Sequence, residues 1–469
     1  MKQRLWTENL TVKFPSGKRG IVYRLFKLYV RIVHSVYYRR AYFLGRENMP
    51  KDAPLMVVSD HQNSLNDALA LVFAINARDR RKIRAIARAD AFDFPVFGTI
   101  FRGLGIMPAF RLMYQGIGSM ANNGDTFLKT YYELLNNGTV IIYPEAGHQD
   151  KRWLGKFSYG YLRIAFEAAA KGNFEKEVFI MPSCNHYSDY MNIREDIMIK
   201  FGEPVSLKPY YEMYKEKSRT AQREVNDLVR SRVAELMLNI TDLDNYEAID
   251  FLRNTYGIKY AKDNGFNPCK LPEKLLSDKQ FVKHLDTLKT SEHGDEVQQV
   301  YNDAAVLGSK IKELKISDKS FERCPSLIRN IFGVLCFAIL FPVYLVALIS
   351  TALVIYPPKL INRRIKDEML HGTINLILSA IVTIPLLNII LFFAVWAIAD
   401  SALISLAYLV CLPFLFIFAV TYEKAWKRQK SRNRFYNLQK AGKLTELSGI
   451  RTRIHETLDK LLKIKKEQN

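Results

Sequence analysis

Cysteine is scarce in this chain, and the few present do not pair. There are five in 469 residues: Cys184, Cys269, Cys324, Cys336 and Cys411. The number is odd, none stands as CxxC, and Cys336 and Cys411 sit in apolar segments. That excludes a disulfide framework and points to a reducing compartment. Zinc-type Cys/His spacing is missing, as are an RNA-binding aromatic signature and a Lys/Arg arm, so no nucleic-acid partner is expected. Met1 to Arg19 lacks the apolar core of a signal peptide. Negative charge is short as well, 47 Asp+Glu against 68 Lys+Arg, for a formal +21. An excess of that size implies an anionic membrane surface or acidic substrates.

Charge is absent altogether from three runs near the end. Asn330 to Pro358 holds none, His371 to Ala399 holds no Asp, Glu, Lys or Arg, and Ser401 to Tyr422 is equally clean. Twenty-two residues of helix reach about 33 Å, enough to cross a hydrocarbon core. Three simple spans would strand basic residues on opposite faces. Lys359, Arg363, Arg364 and Lys366 lie between the first two runs, and the tail after Tyr422 holds 14 Lys/Arg against 5 Asp/Glu. The positive-inside rule places both on the cytoplasmic side. The conflict is resolved if Asn330–Pro358 is re-entrant, bending at Pro342, and the next two runs form a spanning hairpin with Asp400 at its turn.

At the other end, Gly20 to Tyr42 has helical periodicity. Val22, Leu25, Leu28, Ile32 and Val36 form an apolar stripe, while Arg24, Lys27, Arg31, Arg39 and Arg40 occupy other faces. No acid interrupts it, and the pattern suits a helix lying in a membrane interface or packed on a domain.

Between these ends the pattern is α/β. Short apolar strands are expected at Pro54–Ser59, Ile83–Ala87, Gly105–Arg111, Thr139–Tyr143, Val178–Pro182 and Ile197–Phe201. Helices are expected at Ala68–Asn76, Pro95–Leu104, Asp125–Asn136 and Leu162–Ala170. Tyr210 to Phe321 is polar and helical in period, with Ala221, Val225, Leu228, Val233 and Leu236 on one stripe.

Chemistry-bearing residues gather at strand ends, where open α/β sheets bind ligands. The first strand runs into Ser59-Asp60-His61-Gln62-Asn63-Ser64-Leu65-Asn66-Asp67, which offers an imidazole and a carboxylate as a base and its orienting group. Three more stretches follow in order: Gly105 to Arg111, Tyr143-Pro144-Glu145-Ala146-Gly147-His148, and Phe179 to Ser183. His148 and His186 form no compact metal-ligand set, so no metal is expected.

These four stretches together resemble the glycerophospholipid acyltransferase family, over roughly Tyr23 to Pro204. The family's His-x4-Asp is His61-x5-Asp67 here, a spacing similar to the subgroup acting on glycerol 3-phosphate and dihydroxyacetone phosphate, which Asn63 also matches. Gly105 to Arg111 fits the second motif, with Met107 in the Ile place. The third, usually Phe-Pro-Glu-Gly-x-Ser, reads Tyr-Pro-Glu-Ala-Gly-His, keeping Glu145 but not the serine. Pro182 closes the fourth. The resemblance implies a single α/β acyltransferase domain with a mixed central sheet flanked by helices, followed by a helical extension and C-terminal membrane-embedded helices. The expected organisation is an interfacial helix region over 1–44, the acyltransferase domain over 45–209, the extension over 210–325, membrane segments over 326–422 and a basic cytoplasmic tail over 423–469.

The implied activity moves an acyl group from acyl-CoA or acyl carrier protein to a hydroxyl of glycerol 3-phosphate or lysophosphatidic acid. His61 and Asp67 would be catalytic. Arg111 would bind the phosphate, helped by Lys156, and Glu145 would hold acceptor hydroxyls or organise its loop with Gly147. No cofactor is implied beyond the thioester co-substrate. The partners would be the phospholipid bilayer, the thioester and the acceptor. The localisation is an integral membrane protein with its catalytic domain cytoplasmic, in the inner membrane if the source is bacterial. Another lysolipid acceptor, or an inactive scaffold of the same fold, are the alternatives.

Overall fold

The computed structural model describes residues 21–76, 83–88, 92, 106–109, 123–145, 151–322, 326–366, 369–376, 378–379 and 384–468. The expected helix at Pro95–Leu104 lies outside them, as do Arg111, Gly147 and His148.

Eight strands form one mixed sheet: β1 (Arg40–Leu44), β2 (Leu55–Ser59), β3 (Ile83–Arg88), β4 (Met107–Ala109), β5 (Thr139–Ile142), β6 (Phe179–Tyr187), β7 (Asp196–Phe201) and β8 (Val205–Ser206). Their order is β1-β7-β6-β2-β5-β3-β4, with β8 beside β6. Strands β2 to β6 are mutually parallel, and β7 and β8 run antiparallel to β6. Every side chain of β2 is buried. Met56 and Val58 meet one helical layer and Leu55 and Val57 the other, as a central strand covered on both faces requires. The first layer holds α3 (Asn123–Leu135), α4 (Gly160–Lys171) and α6 (Ser218–Leu236). The second holds α1 (Ile21–Tyr37) and α2 (Leu65–Asn76). The stripe of Ala221, Val225, Val233 and Leu236 therefore covers the sheet.

Two local expectations are corrected. The N-terminal helix stops at Tyr37, and Arg40–Leu44 becomes an edge strand parallel to β7. Arg39 and Arg40 anchor it through Asp196, at 2.7 and 2.9 Å. Pro182 lies inside β6 and does not close it. Its carbonyl accepts from Gly202 N, so its missing N–H faces the bend between β7 and β8, where no ladder donor is needed. In α1, Leu25, Leu28 and Ile32 of the apolar stripe are exposed, and Val30, Val33 and Tyr37 are the buried face.

Beyond the sheet, α5 (Tyr211–Glu216) leads into α6, and then α7 (Tyr246–Asn254), α8 (Tyr256–Asp263), α9 (Leu271–Lys289) and α10 (Gly294–Leu314) build a second core. The apolar segments form α11 (Leu327–Asn362), α12 (Met369–Leu376), α13 (Ile384–Ala399) and α14 (Ala402–Lys440), and the chain ends in α15 (Thr445–Gln468). Leu447, Ile450, Ile454 and Leu458 of α15 pack into the second core.

Helices α11 and α14 are long and apolar enough to cross a membrane by length and composition. They are skinned with exposed side chains such as Ile339 and Leu403. Helix α11 is not straight. The Phe337 carbonyl accepts from Tyr422 Oη at 2.9 Å, while Lys359 Nζ meets Glu423 at 2.7 Å. Twenty-two positions of straight helix span about 33 Å, more than side chains of two adjacent residues can bridge. The element doubles back, but not at Pro342, because Tyr344 still stacks on Tyr422 and Ser350 reaches on to Tyr408. Ser350 and Thr351 donate to the carbonyls of Val346 and Ala347, a pairing that bends helices, and Pro357 and Pro358 follow inside the same helix, where neither can donate to the ladder. Within the run His371–Ala399 the described residues form α12, buried against the α/β domain, and α13, which pairs with α14 around Asp400, whose φ is 46°.

Candidate active site

The site lies at the carboxyl ends of β2 and β5, neighbouring parallel strands. After Ser59 the chain turns through 60–64, with Ser64 at a φ of 46°, and enters α2 at Leu65. Asp67 falls in the first turn of α2, where a carboxylate suits the helix dipole. Its Oδ2 lies 2.9 Å from His61 Nδ1 and also accepts the backbone N–H groups of Gln62 at 2.9 Å and Asn63 at 2.7 Å. Its Oδ1 accepts from Tyr187 Oη at 2.5 Å. The Asp67 side chain is fully buried, and that of His61 is 17% exposed. One face of the imidazole stacks on Tyr143, with ring centres 4.1 Å apart. A carboxylate fixed by four donors holds one tautomer of the histidine and one ring orientation.

Glu145 bridges two backbones. Oε1 accepts from His61 N at 3.0 Å and Oε2 from Gly155 N at 2.8 Å. Burial pushes its carboxyl up to about 7, against the pull of those two N–H groups. Of the two roles expected for Glu145, the one visible is organising the loop. Lys156 follows Gly155 and is exposed.

Asp60, next to the histidine, was not anticipated. It is buried, and burial drives its carboxyl well above the usual carboxylate range. Its Oδ1 accepts from Asn185 N at 2.7 Å and Ser59 Oγ at 3.1 Å, and Asn185 Nδ2 returns to the Asp60 carbonyl. This joins β2 to β6 directly beneath the loop. His186 is buried and pushed well below the usual imidazole range, by burial first and then by Arg152, whose Nη1 is 3.3 Å from Nδ1. It is a neutral structural histidine, and among the described residues no cluster suited to a metal occurs.

The largest surprise is α12. Leu65 N, at the start of α2, donates to Thr373 Oγ1 at 3.1 Å, and Thr373 donates on to the Asn63 carbonyl. Tyr37 Oη donates to the Gly372 carbonyl, and Asn375 Nδ2 to Met191 O. A Cβ at Gly372 would stand 2.4 Å from Asn63 Oδ1 and 2.9 Å from the Tyr190 carbonyl, so only glycine fits. Nothing in the sequence pattern signals this contact, because α12 is apolar like the segments beside it.

Residues 40–185 match the family model for acyltransferases. A stretch of 136 residues is 27% identical to glycerol-3-phosphate O-acyltransferase 2 of Saccharomyces cerevisiae, covering 29% of this chain and 18% of that protein. The chain thus spans less than a fifth of that relative's length. The crystal structure of the 1-acyl-sn-glycerophosphate (LPA) acyltransferase PlsC from Thermotoga maritima aligns at 18% identity and a TM-score of 0.32, covering 46% of this chain and 79% of that one.

Proposed function

Residues 40–185 belong to the glycerophospholipid acyltransferase family, and from that premise we propose that the protein is a membrane-bound O-acyltransferase. Its acceptor is glycerol 3-phosphate or lysophosphatidic acid, and its donor is an acyl thioester of coenzyme A or acyl carrier protein. One observation carries the reading: His61 Nδ1 stands 2.9 Å from a buried Asp67 at the end of a central strand.

With Nδ1 committed to Asp67, Nε2 is the nitrogen that takes the proton from the acceptor hydroxyl. The oxygen forms its bond to the thioester carbonyl carbon as that proton leaves. The tetrahedral intermediate then collapses, the C–S bond breaks, and the imidazolium returns the proton to the departing thiolate. Asp67 stabilises the imidazolium in the interval. Thiolate is a good leaving group, so the scheme needs no acyl-enzyme and no cofactor. Glu145 keeps the His61 loop in register with the Gly155 loop. Arg111 is assigned to the acceptor phosphate, where a guanidinium binds two oxygens at once, with Lys156 assisting. The apolar skin of α11 and α14 and the exposed stripe of α1 support a site at a bilayer surface. We assign the α13–α14 hairpin as spanning, α11 as re-entrant and the catalytic domain as cytoplasmic.

The decisive experiment is an acceptor panel with purified protein: glycerol 3-phosphate, lysophosphatidic acid and dihydroxyacetone phosphate, each with both thioester classes. Turnover on at least one pair, lost in His61→Ala, is expected. No turnover on any pair, or full turnover in the variant, would overturn the reading.

A further inference from the structure

A cavity of about 560 Å³ opens far along the chain from the His61 loop, where residues 317–322 and 326–330 meet residues 427–435 of α14. Its wall carries Lys319, Arg329, Lys427, Arg428 and Arg432 against one carboxylate, Glu322. Glu322 is already engaged by Arg451, at 3.6 Å. None of the five cations is ion-paired with a described acid, and all five are exposed. Two sequence-distant segments thus bring like charges together, an arrangement that costs energy unless an anion sits among them.

One further feature borders the same cavity. Ser326 caps α11 there, its Oγ accepting from Arg329 N, so the positive end of a 36-residue helix borders the space. The wall therefore offers five exposed cations without described carboxylate partners, and a helix N-terminus.

The position selects the kind of anion. Ile328, next to Arg329, and Phe332, about one turn on, are 81% and 66% exposed, and Trp426 precedes Lys427 and packs on Phe337. On the membrane reading given above, this is where apolar skin gives way to basic residues, at headgroup depth. We infer that this cavity binds the phosphate of an anionic lipid headgroup, at a site separate from the catalytic one.

The test uses the full-length protein in detergent and native mass spectrometry with three probes: dioctanoyl phosphatidic acid, dioctanoyl phosphatidylcholine and inorganic phosphate. The variants are Arg329→Gln with Arg432→Gln, and the charge-retaining Arg329→Lys with Arg432→Lys. The wild-type protein should bind one more phosphatidic acid than the glutamine variant, with affinity at that site down about tenfold or more. The lysine variant should retain most of it, and phosphatidylcholine should not discriminate. Equal phosphatidic acid binding in wild type and glutamine variant would overturn the site. Inorganic phosphate binding as tightly as the lipid would overturn the headgroup assignment. Turnover, measured in parallel, should survive in the glutamine variant, so failure of this site and failure of the acyltransferase reading are distinguishable.

Discussion

Leu65 N donates a 3.1 Å hydrogen bond to Thr373 Oγ1, across 308 positions of sequence. Thr373 therefore caps α2 from outside its own segment, holding the residue two places before Asp67. Thr373→Val keeps the shape and removes the acceptor. We expect kcat to fall roughly fivefold to tenfold with KM little changed, as one hydrogen bond is worth about 1 kcal/mol. Thr373→Ser should recover most of it. A KM change without a kcat change would argue against a positioning role.

His61→Ala should reduce turnover by about 10² to 10⁴, the range for a lost general base. Asp67→Asn should fall comparably while the chain still folds. An asparagine amide cannot accept from His61, Gln62, Asn63 and Tyr187 together. Tyr187→Phe, which removes one of those donors, should cost less than either. Single-turnover rates with the thioester would separate chemistry from binding.

Glu145 sets a pH dependence. Its carboxyl is raised to about 7 from an ordinary 4.5, chiefly by burial. The folded state holds this proton more tightly than the unfolded state. The resulting stabilisation is full below about pH 4.5 and is lost as pH rises through about 7, on the order of 3 kcal/mol in all. Thermal unfolding in detergent should show stability falling between about pH 5 and about pH 8. Glu145→Gln should flatten that slope, though at lower stability, since an amide accepts only one of the N–H bonds from His61 and Gly155.

The doubled-back α11 predicts labelling. In a background lacking reactive cysteine, Arg364→Cys should react with an impermeant maleimide only from the side carrying the catalytic domain. Asp400→Cys should react only from the opposite side. About 30 Å of helix separates Ala402 from Tyr422, enough to reach the far interface. Labelling of position 364 from the Asp400 side would restore a simple span.

Much of the α/β domain was legible because its central strands are short apolar runs with helical segments between them. Strand β2 and the His61–Asp67 loop fell where the pattern placed them. Strand β1 was missed because Arg40 and Ala41 read as a continuation of the basic helix, and its partner Asp196 is 156 positions away. Pro182 misled because proline usually ends a strand, and only the break between β7 and β8 makes it tolerable inside one. The bend in α11 was expected at Pro342. It lies instead between Ser350, which still reaches Tyr408, and Lys359, which has returned to Glu423, an interval that holds Pro357 and Pro358. Asp60 and Thr373 were invisible for a common reason: their partners Asn185 and Leu65 are chosen by tertiary contact alone.

The seating of α12 on the 63–66 loop bears on how this chain divides. A fragment ending after the α/β layers would contain every residue that matches the family, yet leave Leu65 N uncapped and expose the floor now filled by Gly372 and Leu376. The catalytic fold here is therefore not an interchangeable module. Its loop at 60–66 is finished by a segment contributed from the apolar C-terminal part of the same polypeptide, so excision or grafting must carry both.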